Sequence, residues 1–424
     1  MEKEGCSMVV FSDKYTESVR MLQETFHRMG CDAKIVVLED DGFLPEGTES
    51  LYEYFMYRNR RGELVVKDLF YNFLELPPFW EVRLTGGRGA VFHMGCEKAR
   101  ICFREPAENR NVLRVEWHME DGWVYRTDFY NRYGLRYASA FSDTAGKMNA
   151  KVYYSIQNQE KVVEQPGNHI ISLLEEGQLK KCFASRAEFI QYYREESGLK
   201  EAGILMVQEA ESLEDLELAG SGRDYWKRIL FSDRGLLDRY IAMGGQNGSL
   251  FYGIPEAYRE NRARGEAMIL TASDQVEHVE DLIRGLPDMM FHIAANTQVS
   301  DRLGRLAELE NVRVYPQISG QDLAGLWDIC DFYLDINHYR EIYNAVSTAH
   351  EKNLVILGFR DTVHRRELMA DVCIYDGADW GEMALAIGRL RADSGALQNT
   401  LASQQEQKRK IWSRFMQDLG QGRY

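Results

Sequence analysis

The hydrophobic pattern of the first sixty residues changes period twice. An apolar run, MVVF, gives way to KYTESVRMLQETFHRMG, where Val19, Leu22 and Phe26 recur at three- and four-residue spacing, and a second β-rich run, AKIVVLE, follows. That order predicts a β-α-β unit and a parallel sheet. From about residue 62 the period falls to two. In VLRVEWHMEDGWVYRTDFY, Val115 and Trp117 alternate with polar residues, Asp121-Gly122 supplies a turn, and Trp123, Tyr125, Thr127 and Phe129 resume the alternation. KVYYSIQNQEKVVEQ and HIISLLEEGQLKKCF predict two more hairpins, the second turning near Glu176-Gly177. Residues 62–183 therefore form a predicted antiparallel meander dense in aromatics, either a docking face or the filling of the meander's own core.

The helical period returns in SRAEFIQYYREESG; GILMVQE follows as a strand, and YWKRILFSDRGLLDRYIAMGG is expected to be helical. These complete a first α/β domain, residues 1–61 and 184–254, into which the meander is inserted. PEAYRENRARGE, residues 255–266, has the polar composition of a linker. Six apolar runs then alternate with helical segments: AMILTAS, MMFHIAANT, VRVYPQ, FYLDIN, LVILGF and DVCIYD. They predict a doubly wound parallel sheet in a second domain, residues 255–424, with its ligand side at the strand C-termini. SQQEQKRKIWSRFMQDLG reads as one amphipathic helix, expected to cross back to the first domain. Two Rossmann-like domains with an antiparallel β-meander inserted in the first, α/β overall, describe a GT-B architecture. No 20 to 50 residue repeat interrupts it.

Composition narrows the function. Of the 424 residues, 51 are Lys or Arg and 66 are Asp or Glu, a net charge of −15. A polyanion is repelled on average, so no nucleic-acid partner is expected. No window approaches the roughly 18 to 20 apolar residues of a membrane span, and the start lacks a basic segment followed by a long apolar one. The expectation is a cytoplasmic chain without stable membrane insertion. Seven cysteines without a C-x-x-C pair are read as reduced core residues, and nine histidines without H-E-x-x-H spacing leave metal: none as the expectation.

In a parallel sheet the loops after the strands collect functional groups. The second domain places Ser273 and Asp274, with Thr271, after its first strand, Asn296 and Thr297 after its second, and Asn337 and His338 after its fourth. Together they are candidates for a sugar, nucleotide or peptide pocket facing a cleft between the domains, although Ser273, Asp274 and Thr297 also suit helix N-caps. The first β-α turn, FSDKYTES, has no glycine, which excludes a dinucleotide fingerprint, and neither a P-loop nor G-x-S-x-G occurs. Gly86, Gly87 and Gly89 in LTGGRGA are expected to shape a turn, and Gly244, Gly245 and Gly248 in MGGQNGS are read as a generic backbone loop at the cleft. Glu39, Asp40 and Asp41 end a strand, where solvation is the commoner fate than metal binding.

The runs DDGFLPEG, LPPFWEVR, VEWHMEDGWVYRTDFYNRYG, MILTASDQVEHVEDLI, FHIAANTQVSDRL and FYLDINHYREIYNAV together resemble the glycosylation chaperones of accessory Sec systems, from about Val9 to Asp376. That family comprises stabilising subunits of the Gtf protein O-GlcNAc transferase for serine-rich repeat adhesins. The resemblance implies a GT-B subunit that pairs with a catalytic Gtf glycosyltransferase through the inserted sheet, binds the serine-rich repeat adhesin polypeptide, and transfers no sugar itself. No cofactor is implied. Active retaining relatives carry two glutamates separated by seven residues after the fourth strand of the second domain. Aligning LVILGF with the strand that follows that motif puts the two positions at Tyr339 and Ser347, or one residue on at Arg340 and Thr348, and neither register holds a carboxylate pair.

Glu341 is close, but eight residues further on stands Ala349. A retaining transferase builds opposite charges at the anomeric carbon and the diphosphate, so lost carboxylates remove transition-state binding. The expectation is thus a non-catalytic, acceptor-binding, stabilising subunit acting before export. The alternatives are a self-sufficient nucleotide-sugar transferase using Glu341, or a scaffold with a vestigial cleft. The partner contact is expected on the aromatic face of residues 112–130 within the inserted sheet, and the inner membrane face is the alternative location.

Overall fold

The computed structural model describes residues 6–28, 30–58, 60–85, 87–199, 203–255 and 257–418. It divides into two units, Met1–Phe251 and Tyr252–Tyr424.

The first unit contains a six-stranded sheet in the order Gly248–Leu250, Arg228–Phe231, Ile204–Val207, Cys6–Ser12, Cys31–Val37, Thr48–Ser50. All five pairings are parallel. One expectation is corrected: YWKRILFSDRGLLDRYIAMGG is not helical throughout. Ile229, Leu230 and Phe231 are a continuous buried run, as a strand covered on both faces requires, and the helix Arg234–Ala242 starts only after Asp233, whose carboxylate accepts from Leu236 N at 3.1 Å. At the end of Cys6–Ser12 the buried Asp13 accepts from Gln208 N (2.8 Å), Glu209 N (3.1 Å) and Ser212 Oγ (2.9 Å). That carboxylate occupies the turn where a dinucleotide fold places its glycines. MGGQNGS serves packing: a Cβ on Gly245 would lie 2.1 Å from the Tyr240 ring. Cys31 is disulfide-bonded, which corrects the reading of every cysteine as reduced, whereas Cys96, Cys102, Cys182, Cys330 and Cys373 are free.

Ten antiparallel strands, Trp80–Thr85 through Gln178–Phe183, each pair with the next in chain order. The Glu176-Gly177 turn forms as expected, with φ of 52° and 77°. Gly87 turns the first hairpin at φ 83°, and Gly86 lies outside the described residues. The sheet uses its faces unequally. Tyr137, Tyr153, Val162, Ile171 and Leu173 pack with Leu51, Tyr52 and Phe189 in the core of the parallel sheet. Val91, Ile101, Val115 and Trp117 instead form a separate small core with Leu69, Leu74 and Leu76. Those leucines belong to residues 64–77, a strap tied across the sheet by Val112 N to Leu69 O (2.7 Å) and Lys67 N to Arg132 O (2.9 Å).

The second unit carries the six expected strands in one parallel sheet: Val312–Tyr315, Met290–Ala295, Glu266–Thr271, Phe332–Asp335, Val355–Phe359, Ile374–Tyr375. The chain winds outward from Glu266–Thr271 in one direction and then from Phe332–Asp335 in the other, so the order reverses between them, which is where such sheets bind ligands. Residues 255–266 are not a free tether. Arg259 donates to Lys352 O, Asp328 O and Cys330 O, and buried Asn261 donates to Asp331 O and Asn353 O, both at 2.8 Å. A segment polar enough to look like a linker is polar because it caps backbone carbonyls. The helix Ser394–Asp418 is held within the same unit through Gln404, bonded to Leu354 O and Ile356 N, and through Trp412 Nε1, 2.7 Å from Tyr252 O. Among the described residues no helix is long and apolar enough to cross a membrane.

Candidate functional site

The ends of Glu266–Thr271 and Phe332–Asp335 bring four of the candidate residues together. Val276 bridges to Asn337, and His338 N donates to Gln275 O at 2.9 Å, so the loop holding Ser273 and Asp274 lies against the loop holding Asn337 and His338. Asn337 is buried and structural: its Nδ2 donates to Leu270 O (3.1 Å) and its Oδ1 accepts from Tyr339 N (3.1 Å). Ser273 Oγ accepts from Gln275 N at 3.3 Å. The capping alternative fails for Ser273, Asp274 and Thr297, because the following helices begin later, with His278 and Ser300 in the N-cap positions. Asn296 and Thr297 follow the end of the neighbouring strand Met290–Ala295. Thr297 is exposed, and Asn296 Oδ1 is shielded from solvent without a hydrogen-bond partner. His338 pairs with Glu277, which also lies 3.4 Å from His278 Nε2.

Neither register of the two glutamate positions offers a carboxylate. Tyr339 is exposed; Ser347 is buried on the helix Ala345–Glu351, with its Oγ 3.3 Å from Glu351 Oε1. Arg340 stacks over Tyr339 at 5.8 Å, and Thr348 Oγ1 donates to Asn344 O at 3.1 Å. Glu341 is already committed. Its Oε2 accepts from Arg365 Nε at 2.6 Å and its Oε1 from Val346 N at 2.9 Å, with side chains 10% and 4% exposed for Glu341 and Arg365. Arg365 also reaches Asn344 Oδ1 at 2.9 Å.

The neighbouring cation is committed too. His364 donates from Nδ1 to the buried Asp335 (2.7 Å) and from Nε2 to Tyr339 O (2.5 Å). Burial works against its charge, but the Asp335 hydrogen bond and charge outweigh it and raise the imidazole pKa to about 9. The loop bearing the first glutamate position is thereby clamped by a charged histidine. Sequence reasoning missed Asp335, His364 and Arg365; an aspartate ending a buried strand and a His-Arg-Arg run were the available signals.

In the first unit Glu39 lies 3.6 Å from Lys14 Nζ and 3.5 Å from Arg186 Nη1. Asp40 is buried and accepts from Gly42 N, and Asp41 accepts from Phe43 N, so both build the turn. Among the described residues no cluster of histidine, cysteine and carboxylate groups could hold a metal ion. The expected aromatic contact face of 112–130 is only partly a surface. Trp117 is buried with its Nε1 donating to Asp128 at 2.7 Å, and Trp123 Nε1 donates to Asp143 O at 2.5 Å.

Three segments match known families: residues 10–55 the GtfB N-terminal domain, 80–184 the GtfB middle domain, and 267–404 the GftB/GlyA-F C-terminal domain. The fold matches a crystal structure of the GtfA/B complex bound to UDP and GlcNAc with a TM-score of 0.50 at 28% identity, covering 94% of this chain and 96% of that one. It matches the pneumococcal O-GlcNAc transferase GtfA in complex with UDP and GlcNAc at 0.54 and 13% identity, covering 97% and 99%, a likeness of fold alone. The chain is therefore a GT-B, glycosyltransferase-like protein. It is 31% identical over 408 residues to the UDP-N-acetylglucosamine–peptide N-acetylglucosaminyltransferase stabilizing protein GtfB of Streptococcus gordonii, covering 89% of this chain and 90% of that one. The Streptococcus parasanguinis counterpart is 30% identical over 387 residues, covering 84% and 87%. The chain belongs to the GtfB stabilising-protein family.

Proposed function

We propose that this chain is the non-catalytic stabilising subunit of a protein O-GlcNAc transferase: it pairs with a catalytic glycosyltransferase subunit and binds Ser/Thr-rich adhesin polypeptide before export. The observation that carries the reading is the commitment of Glu341 to Arg365 and Val346 N, beside two glutamate positions filled by Tyr339 and Ser347. A donor sugar requires preorganised charge at both ends of its breaking bond. Here the nearby carboxylates and cations neutralise one another. Ser273, Asp274, Asn296, Thr297, Asn337 and His338 then mark a vestigial donor pocket. The names of the relatives support pairing with a transferase.

The reading places the protein in the cytoplasm, with a peripheral seat on the inner membrane face as its narrower form. The contact is assigned to the inserted sheet, whose edge hairpin presents Phe79 and Met94, the two most exposed large apolar side chains among the described residues. Co-expression with the catalytic subunit tests this. A stable heteromer on gel filtration is expected, lost on F79D/M94D with the fold retained; no complex with the wild-type chain refutes pairing.

A further inference from the structure

Within the first unit, a groove of about 720 Å³ crosses the meander face beside the strap. Its construction is unusual for a sheet surface. Asp128 sits on the floor, 2% exposed, and both its oxygens are used: Trp117 Nε1 donates at 2.7 Å and Ser139 Oγ at 2.6 Å. Arg126 Nη2 lies 3.1 Å and Arg136 Nη1 3.7 Å from the same carboxylate. A buried carboxylate is costly unless paired. Here it fixes two guanidiniums in one place.

Each guanidinium is also backed by a ring: Arg126 lies 4.9 Å from the Trp117 centroid and Arg136 4.6 Å from that of Tyr154. Both arginines keep more than a quarter of their side-chain surface exposed, at 28% and 27%. Each carries five N–H donors. Arg136 uses one on Asn158 Oδ1 at 2.7 Å, and Arg126 Nε is shielded from solvent, which leaves the terminal guanidinium nitrogens as the groups a ligand could reach. The immobilised terminal N–H groups of these two part-exposed side chains are the donors the groove offers. Phe73, Trp80 and Tyr125 supply apolar walls, and Glu75 at the rim balances the net charge of Asp128 with its two arginines.

A neutral groove with planar donors and aromatic walls fits an extended, uncharged polypeptide. Main-chain carbonyls and hydroxyls accept from the guanidiniums, and threonine methyls lie on the rings. A strongly acidic ligand would be opposed by the chain's net charge of −15. We infer that this groove is where the Ser/Thr-rich acceptor polypeptide docks, an inference that rests on the acceptor-binding reading above and moves the contact from the second sheet's strand ends to the meander.

The test uses the full chain in complex with its catalytic subunit and a fluorescein-labelled Ser/Thr-repeat peptide, read by anisotropy. W80A/Y125A is expected to weaken binding by about tenfold or more, and N296A/T297A to leave it within about twofold. Hydrogen exchange on the wild-type complex is expected to slow at 125–130 and 156–158 when peptide is added, which answers the question even if the double variant misfolds. Unchanged affinity in W80A/Y125A, or protection confined to 296–298, overturns the placement. Binding only of GlcNAc-bearing peptide, or loss of partner capture with peptide affinity intact, assigns the groove to another occupant and overturns it as well. Absence of any peptide binding by the wild-type complex defeats the acceptor reading itself.

Discussion

Glu341 separates a structural carboxylate from a catalytic one. Replacing it with alanine removes the partner of Arg365, whose side chain is 4% exposed, and deletes the acceptor for Val346 N at the start of the helix Ala345–Glu351. Breaking a buried pair by removing one member costs about 3–5 kcal/mol. Arg365 keeps Asn344 Oδ1 at 2.9 Å and the Tyr252 ring at 5.7 Å, which favours the low end. The lost helix-end acceptor adds about 1 kcal/mol. A total of about 4 kcal/mol lowers the melting temperature of a unit this size by about 8–16 °C. E341Q keeps an oxygen for one of the two donors and falls between wild type and alanine. Differential scanning calorimetry measures the shift, and transfer assays on the reconstituted complex, normalised to folded protein, are expected to show wild-type turnover in E341Q. An alanine variant melting within about 1 °C of wild type while abolishing transfer would place Glu341 at the sugar and refute the reasoning.

His364 has a folded pKa of about 9, above its unfolded value of about 6.5, so its contribution is complete below pH 6.5 and is lost as pH rises through 9. Urea denaturation should show a decline over that window that H364Q lacks. Lys408, fully buried 3.6 Å from Glu351, is pushed down to about 8 by burial against the pull of that carboxylate. K408M alone is expected to lose about 3 kcal/mol, whereas K408M/E351L is expected to be neutral or more stable, by equilibrium unfolding. Burial opposes ionisation of Asp331, but hydrogen bonds from Arg264 hold its carboxyl below the usual range. Its contribution is therefore complete above the unfolded pKa and lost as pH falls through the lower folded one; D331N should flatten the acid limb of the stability curve.

The parallel sheets were legible because buried strands leave short apolar runs, as LVILGF and the FYL of FYLDIN do. The strand Arg228–Phe231 was not, since four residues beside a helix of nine leave too short a run to break the helical period. The meander's hairpins announced themselves through Asp121-Gly122 and Glu176-Gly177. Residues 64–77 did not, because a strap held by backbone hydrogen bonds has no side-chain period. The same limit applied to chemistry. The missing glutamate pair could be counted along the chain, yet the partners of Glu341 and His364 depend on Arg365 and Asp335, 24 and 29 positions away. The charges of Arg126, Asp128 and Arg136 were visible, but their convergence under one groove follows from antiparallel register, which places Asp128 opposite Ser139 and Arg136 opposite Tyr130.

The most direct measurement incubates the purified, unpartnered chain with radiolabelled UDP-GlcNAc and a Ser/Thr-repeat peptide. Background counts are expected, rising only when the catalytic subunit is added. Incorporation of GlcNAc into peptide by this chain alone would contradict the account.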